Sequence, residues 1–222
     1  MKNKENNGDN KSNYSSKRKL LIAIFIIIGA ILFLILASWL IDFYNSKKDS
    51  RDESNITFNF YPVDYDEDIF EDERYLELIE NGFISYTDLA TNLTVDIDRE
   101  TAQVYGKEVE YMVEYIYSII YGDCDEYNNF FSEKYFLENE KKDSFTMQKV
   151  YDVDIKKEMP TAVSEDGSDY TIYVFSVQYR ILENNGTFRD DFLEGRKIQY
   201  ITVSDREGSL LIDGISTPKT KK

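Results

Sequence analysis

The chain contains no histidine, one cysteine, three prolines and one tryptophan among its 222 residues. Without histidine it lacks the commonest general base, the commonest metal ligand and the side chain that most often changes charge near neutral pH. Its lone cysteine, Cys124, excludes a disulfide within the chain, so a folded domain must be stabilised by its core. We therefore expect no enzyme, no catalytic residue, no metal site and no cofactor.

Basic residues are also in deficit: 26 lysines and arginines stand against 42 aspartates and glutamates, for a formal net charge of −16 at pH 7. Most of the acidic residues follow residue 44. A surface of this sign repels nucleic-acid phosphates and anionic lipid headgroups. The charge predicts a domain that does not bind nucleic acid directly.

One long apolar run is present: residues 20–41 are 22 consecutive residues without charge or proline. As a helix they would extend about 33 Å, which is enough to cross a hydrocarbon core of ~30 Å. A basic triplet at residues 17–19 precedes the run, and Trp39 lies near its far end, where aromatic anchors are common. The run predicts a single transmembrane helix in contact with the lipid bilayer.

The alternative to an anchor is a cleaved signal peptide. The run is longer than a signal-peptide core, and a cut after Ala37 would leave the bulky Ile35 where a small residue is required. We therefore favour the uncleaved anchor. Lysines and arginines are concentrated in the tail before the run, which predicts a cytoplasmic N-terminus and an extracytoplasmic C-terminal domain on a cell membrane.

These features divide the chain into six segments. They are a cytoplasmic basic tail at 1–19, the transmembrane helix at 20–41, a stalk at 42–62, an accessory helical or extended segment at 63–98, a folded domain at 99–217 and a tail at 218–222.

Helical periodicity is clearest over residues 99–121, where one apolar stripe comprises Val109, Met112, Val113, Ile116 and Ile120. Gly122 is expected to end this helix, and Asp123 with Glu126 forms a capping box for a second helix that runs to about residue 139. An earlier helix is predicted at residues 66–81, and residues 83–97 are interpreted as extended.

The remaining chain has strand patterns at residues 146–159, 170–182, 198–204 and 209–215. Asn185 and Gly186 form a strong two-residue hairpin signal, and Gly195 indicates a bulge in the returning strand. Two helices followed by a four-stranded antiparallel meander predict an α+β fold.

Residues 105–121, the Gly122-Asp123 break and the aromatic segment at residues 127–136, followed by long hairpins, resemble the nuclear transport factor 2-like (cystatin-like) superfamily. Its members commonly have a long helix, a glycine–aspartate break and a short helix, followed by a curved sheet that wraps the long helix. The resemblance covers roughly residues 100–216 and implies a cone-like domain made of helices and a curved antiparallel sheet.

A short basic tail, one membrane helix and such a domain outside the membrane resemble the inner assembly factors of conjugative type IV secretion machines, which Gram-positive conjugation systems contain. The resemblance implies a scaffold that contacts other membrane-complex subunits and itself, and it carries over no functional residue. Two other classes stay open. One is a small-ligand-binding or enzymatic domain that uses the cavity of the cone, and the other is an envelope or sporulation regulator.

Some acidic residues, and the lone cysteine, are of the types found in metal-binding or catalytic sites. Asp64, Asp66 and Asp68 begin like a calcium loop, but such a loop needs glycine at its sixth position, where the chain has Ile69. The candidate carboxylates for a cavity enzyme are Asp152, Asp154, Asp190 and Asp191, and their acidic surroundings favour solvated surface positions. Acidic neighbours of Cys124 oppose a reactive thiolate.

The candidate interface lies on the outward side of the strands at residues 170–182 and 198–203. Aromatic and β-branched residues occupy both alternating sets of these strands, so one set is left for a partner if the domain cannot bury both. Tyr173 and Tyr200 are the candidate interface residues, and whichever is exposed is expected to contact partner subunits.

Overall fold

The computed structural model of the protein describes residues 58–80, 83–165, 167–193 and 195–218. The predicted basic tail, the predicted transmembrane helix and most of the stalk lie outside these residues. Within the described ranges, no helix is long and apolar enough to cross a membrane. The described residues fall within one compact unit, Phe58–Lys222.

The secondary structure is α+β, as the sequence predicts. The helices are α1 (Glu73–Ile79), α2 (Lys107–Ile120), α3 (Cys124–Asn129) and α4 (Glu133–Phe136), with 3-10 turns at Ile69–Glu71 and Ala102–Tyr105. The strands are β1 (Ile84–Asp88), β2 (Leu93–Ile97), β3 (Lys149–Lys157), β4 (Thr161–Glu165), β5 (Ser168–Leu182), β6 (Gln199–Arg206) and β7 (Ser209–Ser216).

The strands form one curved, unclosed seven-stranded sheet in the order β2-β1-β3-β5-β6-β7, with β4 beside β5. All pairs are antiparallel except β1 and β3, which are parallel. The four predicted strands form the expected antiparallel meander, β3-β5-β6-β7, but the complete sheet has seven strands and is mixed, so the prediction of an antiparallel sheet was wrong. The β1–β2 hairpin joins the sheet because its apolar residues align with those of β3: Ile84 pairs with Val153, and Tyr86 pairs with Ile155.

Three interruptions shape the strands of the sheet. Pro160 has no backbone N–H for a strand ladder, and it separates β3 from β4, which pair with successive halves of β5. In β3, the register shifts between Tyr151 and Asp154, and Asp152 adopts a left-handed φ of 55°. A second shift in β6 lies between Thr202 and Val203. Such bulges bend strands, in agreement with the curvature of the sheet.

The core lies between α2 and one face of the sheet, which we call the core face. It bears the buried side chains of Ile84, Val153, Ile155, Phe175 and Val177. The predicted apolar stripe of α2 is confirmed, since all five of its residues are at most 1% exposed. The helix begins at Lys107 and not near residue 99, because Gly106 has a φ of 126° that does not continue a helix.

The expected break after α2 is also confirmed. Gly122 follows the helix with a φ of 64°, and its N–H donates to the Ile119 carbonyl oxygen at 3.2 Å. The Asp123 carboxylate then accepts a hydrogen bond from the Glu126 N–H at 2.9 Å and caps α3. Local signals therefore determine both helix ends here.

The tight hairpin predicted at Asn185 and Gly186 is wrong. Between β5 and β6 the chain makes an irregular connection over residues 183–198. The Asn184 side chain is fully buried and organises this connection, because its Nδ2 donates to the carbonyl oxygens of Arg189 at 3.1 Å and Phe192 at 2.8 Å. These hydrogen bonds replace the short turn.

Candidate functional site

The two predicted interface residues lie on opposite faces of the sheet. Tyr173 pairs with the buried Val203, lies two residues from Phe175 and hence on the same face, and packs against the core. Tyr200 pairs with Ser176, whose side chain alternates with the core residues of β5. Successive side chains of a strand point to opposite faces. Only Tyr200 of the two therefore lies on the outward side of the sheet.

The outward side carries an apolar surface that we call the outer face. Strand alternation and register place six half-buried side chains on it: Val163, Tyr170, Ile172, Val174, Tyr200 and Leu211. None of them belongs to the hydrophobic core cluster. Arg206 lies over the Tyr170 ring at 3.7 Å, and the Tyr170 hydroxyl donates to Glu165 at 2.9 Å, so polar groups border this surface.

The opposite end of the same side is polar. There the Gln178 amide donates to the Asp154 carboxylate at 2.8 Å, and Lys156 forms an ion pair with Asp154 at 3.0 Å. Arg180 and Arg196 both pair with Asp152. The outer face is therefore an apolar area bounded by charges, which is the composition typical of a protein-binding surface.

A second feature is an open cavity of about 460 Å³ beside the C-terminal half of α2, which we call the aromatic pocket. Segments far apart in the chain line it, with Phe70, Tyr75, Ile79, Glu80, Phe83, Asp96, Ile97, Asp98, Tyr117, Ile120 and Tyr121. Tyr117 of α2 and Tyr121, which directly follows the helix, thus form part of the pocket wall.

Five rings form a continuous row along this pocket. Tyr75 contacts Phe70 with ring centroids 6.2 Å apart, and Phe70 contacts Tyr121 at 5.7 Å. Tyr121 stacks on Tyr117 at 6.0 Å, and Tyr117 meets the edge of Phe83 at 5.9 Å. Burial raises the pKa of the Tyr117 hydroxyl, and neighbouring Tyr121 and Asp98 add to this effect. The Tyr117 phenol is therefore neutral at physiological pH.

Three carboxylates line the aromatic pocket, from Glu80, Asp96 and Asp98, and none of its described lining residues is basic. The Thr101 hydroxyl and N–H both donate to Asp98, and these hydrogen bonds lower the pKa of the Asp98 carboxyl. That group therefore stays ionised in mild acid, and the pocket combines negative charge with aromatic faces.

The candidate carboxylates of a cavity enzyme do not meet in this pocket. Asp152 and Asp154 form the ion pairs described above on the outward side of the sheet, and Asp190 is exposed. Burial opposes ionisation of Asp191, but hydrogen bonds from Arg189 and Lys197 lower its pKa to about 2. Asp152, Asp154 and Asp191 therefore have the environment of structural ion pairs.

Cys124 is not positioned as a nucleophile. Its thiol donates to the Lys142 carbonyl oxygen at 2.8 Å, and burial followed by the charge of Asp125 raises its pKa. Where the chain is described, no three acidic or cysteine side chains are arranged to hold a metal ion. Asp68 instead caps the first 3-10 turn through the Phe70 N–H at 3.0 Å.

Two lysines that no sequence pattern had indicated, Lys149 and Lys157, are buried. Lys157 pairs with Glu108 at 3.0 Å and Asp88 at 3.1 Å, and Lys149 pairs with three carboxylates, of Glu67, Asp72 and Glu183. The sequence signal that could have found Lys157 is the alternation of apolar residues in β3, because Lys157 is two residues from Ile155 and therefore on the core face. Both clusters connect β3 to segments distant in sequence.

Comparison of the chain with protein-family models, with curated proteins and with solved structures found no significant match.

Proposed function

We propose that the protein is a membrane-anchored, extracytoplasmic protein-binding module that acts as a scaffold in a membrane complex. In this proposal residues 20–41 cross the cell membrane once, the N-terminus is cytoplasmic, and the domain from Phe58 onward contacts other subunits and a second copy of itself. The complex we propose is a conjugative DNA-transfer channel of the type IV secretion class, without direct contact of this domain with nucleic acid.

The arrangement of the domain supports membership of the nuclear transport factor 2-like superfamily as part of this proposal. A long helix, α2, ends at Gly122, short helices follow, and a curved sheet packs on α2. Those are the features that the sequence resemblance implies. The added β1–β2 hairpin and its parallel pairing with β3 extend the sheet beyond the expected meander.

The observation that carries the scaffold role is the outer face. Its six apolar side chains lie outside the core and remain half-buried, with charged groups around them. Covering such a surface with a partner would remove apolar area from water, and this is the main driving force of association. Tyr200 belongs to a residue type enriched in interfaces.

Photo-crosslinking of the full chain in cell membranes tests this role. Tyr200→Asp places a charge in the outer face and is expected to abolish crosslinks to partner subunits, while the circular dichroism spectrum stays unchanged. Tyr151→Asp is the matched control, because Tyr151 pairs with Arg180 at the polar end of the same side. Undiminished crosslinking by the Tyr200 variant would contradict the interface.

A small-ligand carrier is the second candidate function, and the aromatic pocket is the observation that favours it. Its volume of about 460 Å³ lies in the usual range of ligand sites, ~300–1,000 Å³. The pocket lies beside α1, β1 and β2, which belong to the segment that sequence analysis separated from the folded domain. No feature of the described residues specifically favours the third class, a regulator that signals through the membrane helix.

A further inference from the structure

Two carboxylates of the aromatic pocket have no side-chain partner among the residues that the structure describes. Across the described residues, no hydrogen bond or ion pair involves the side chain of Glu80 or Asp96. Both residues are exposed. The third carboxylate, Asp98, caps the turn at Thr101 and adds to the negative charge beside Tyr117. A group that enters this pocket therefore meets negative charge, and none of the described lining residues is a cation.

The aromatic row supplies the second requirement for binding a cation. Ring faces attract cations through their quadrupoles, and guanidinium groups stack on them. The chain shows this chemistry on the same row: the Arg99 guanidinium lies 5.2 Å from the Tyr117 ring centroid. Arg99 is held there by Glu114, whose carboxylate accepts from Nε at 2.7 Å and Nη2 at 2.5 Å. A guanidinium on an aromatic face beside a carboxylate is thus already present at the border of the pocket.

We propose that the aromatic pocket binds an arginine side chain presented by a protein partner. This inference rests on the proposed role of the domain as a protein-binding module. The planar guanidinium can stack on the exposed Tyr121 ring and pair with Glu80 or Asp96, in the way that Arg99 combines Tyr117 with Glu114. The net charge of −16 attracts a basic partner segment over longer distances.

The test measures binding of short peptides to the full chain in a mild detergent by fluorescence polarisation. Three labelled peptides are identical except for the central residue, which is arginine, lysine or citrulline. Citrulline has the shape of arginine without its charge. We expect the arginine peptide to bind about tenfold more tightly than the citrulline peptide, because both the ion pair and the cation–π contact need the charge.

Variants locate the site. Glu80→Gln and Asp96→Asn are each expected to weaken arginine-peptide binding about threefold, as exposed ion pairs do. Tyr121→Leu is expected to weaken it by a similar factor, about threefold, through loss of the stacking face. Glu77→Gln, in the last turn of α1 before Glu80, and Tyr61→Leu are the matched controls, since both residues are exposed and lie outside the pocket lining. Both controls should bind like the parent chain.

Several results would overturn the inference. Equal binding of the arginine and citrulline peptides would do so, as would pocket variants that bind like their controls. Free agmatine that binds as tightly as the arginine peptide would assign the pocket to a small cation and not to a protein.

The two proposals can fail separately. If the arginine peptide does not bind while Tyr200→Asp still abolishes crosslinking, the inference is wrong and the proposed scaffold role stands. If the peptide binds as expected and Tyr200→Asp keeps every crosslink, the outer-face interface is wrong and the pocket stands.

Discussion

Gly122 lies where the end of α2 meets the chain that leads into β3. Its φ is 64°, and a Cβ atom at this position would lie 2.7 Å from the Met147 backbone nitrogen and 2.8 Å from the Thr146 carbonyl carbon. The same backbone approach places the Gln148 N–H 3.0 Å from the Ile120 carbonyl oxygen. Glycine is therefore required here for its conformation and also for the close contact.

Gly122→Ala is expected to lower the free energy of unfolding by about 3 kcal/mol or more, because strain in the left-handed region adds to a backbone clash. Gly208→Ala is the control: Gly208 has a φ of 87° but no atom within 4 Å of its Cβ position. It should cost about 1–2 kcal/mol from backbone strain alone. Urea unfolding of both variants measures the difference, and equal costs would show that the contact at Gly122 relaxes freely.

At the scale of the element, β3 combines apolar core positions with a buried charge. Lys157 occupies the core-face register of β3, where it pairs with Phe175 of β5. Burial opposes the charge of Lys157, but hydrogen bonds to Glu108 and Asp88 raise its pKa above the usual value. Lys157 thereby connects β3 to α2 through Glu108 and to β1 through Asp88.

Lys157→Met is expected to destabilise the domain by about 3–5 kcal/mol, because it leaves the buried Glu108 and the half-buried Asp88 without their cation. The neighbouring Lys156→Met is the control. Lys156 lies on the outward side, its side chain is 41% exposed, and its pair with Asp154 should contribute less than about 1 kcal/mol. Chemical denaturation at neutral pH measures the free energy of unfolding of both variants and of the parent chain. A loss at Lys157 no greater than that at Lys156 would mean that the buried pair contributes no net stability.

At the scale of the whole molecule, the unit Phe58–Lys222 has one hydrophobic core and one free cysteine. The core joins α1, α2, the short helices and the sheet, so its stability does not require a disulfide. A domain of this size buries enough apolar surface to fold independently.

A chain of residues 58–222 alone is expected to be soluble and to unfold cooperatively at the same temperature with and without a reducing agent. Ile116→Asp in this chain should abolish the transition, because Ile116 is fully buried and the carboxylate would have no partner. The exposed Leu137→Asp is its control, at 83% exposure. Thermal unfolding followed by circular dichroism measures the transition of the parent chain and of both variants. An unfolded spectrum for the parent chain would show that residues 1–57 are needed for folding.

Local interactions allowed several elements to be derived from the sequence by itself. The stripe on α2, the stop at Gly122 and the cap at Asp123 depend on residues within a few positions of one another, and all three are confirmed. The α+β class follows from the same local patterns. The strand at β5 was found for a similar reason, since its alternation and β-branched residues lie in one continuous segment.

Only the tertiary structure decided which faces and distant segments meet. The alternation of side chains along a strand divides β5 and β6 each into two faces. The pairing of β5 with β6 in the sheet determines which face is buried, and therefore which of Tyr173 and Tyr200 points outward. The parallel pairing of β1 with β3 joins segments about 70 residues apart, and no local signal specifies it. The hairpin signal at Asn185 was overridden because burial of Asn184 satisfies the backbone of a longer loop. The aromatic pocket likewise depends on tertiary packing, because its rings and carboxylates come from three separate stretches of the chain, at residues 70–83, 96–98 and 117–121.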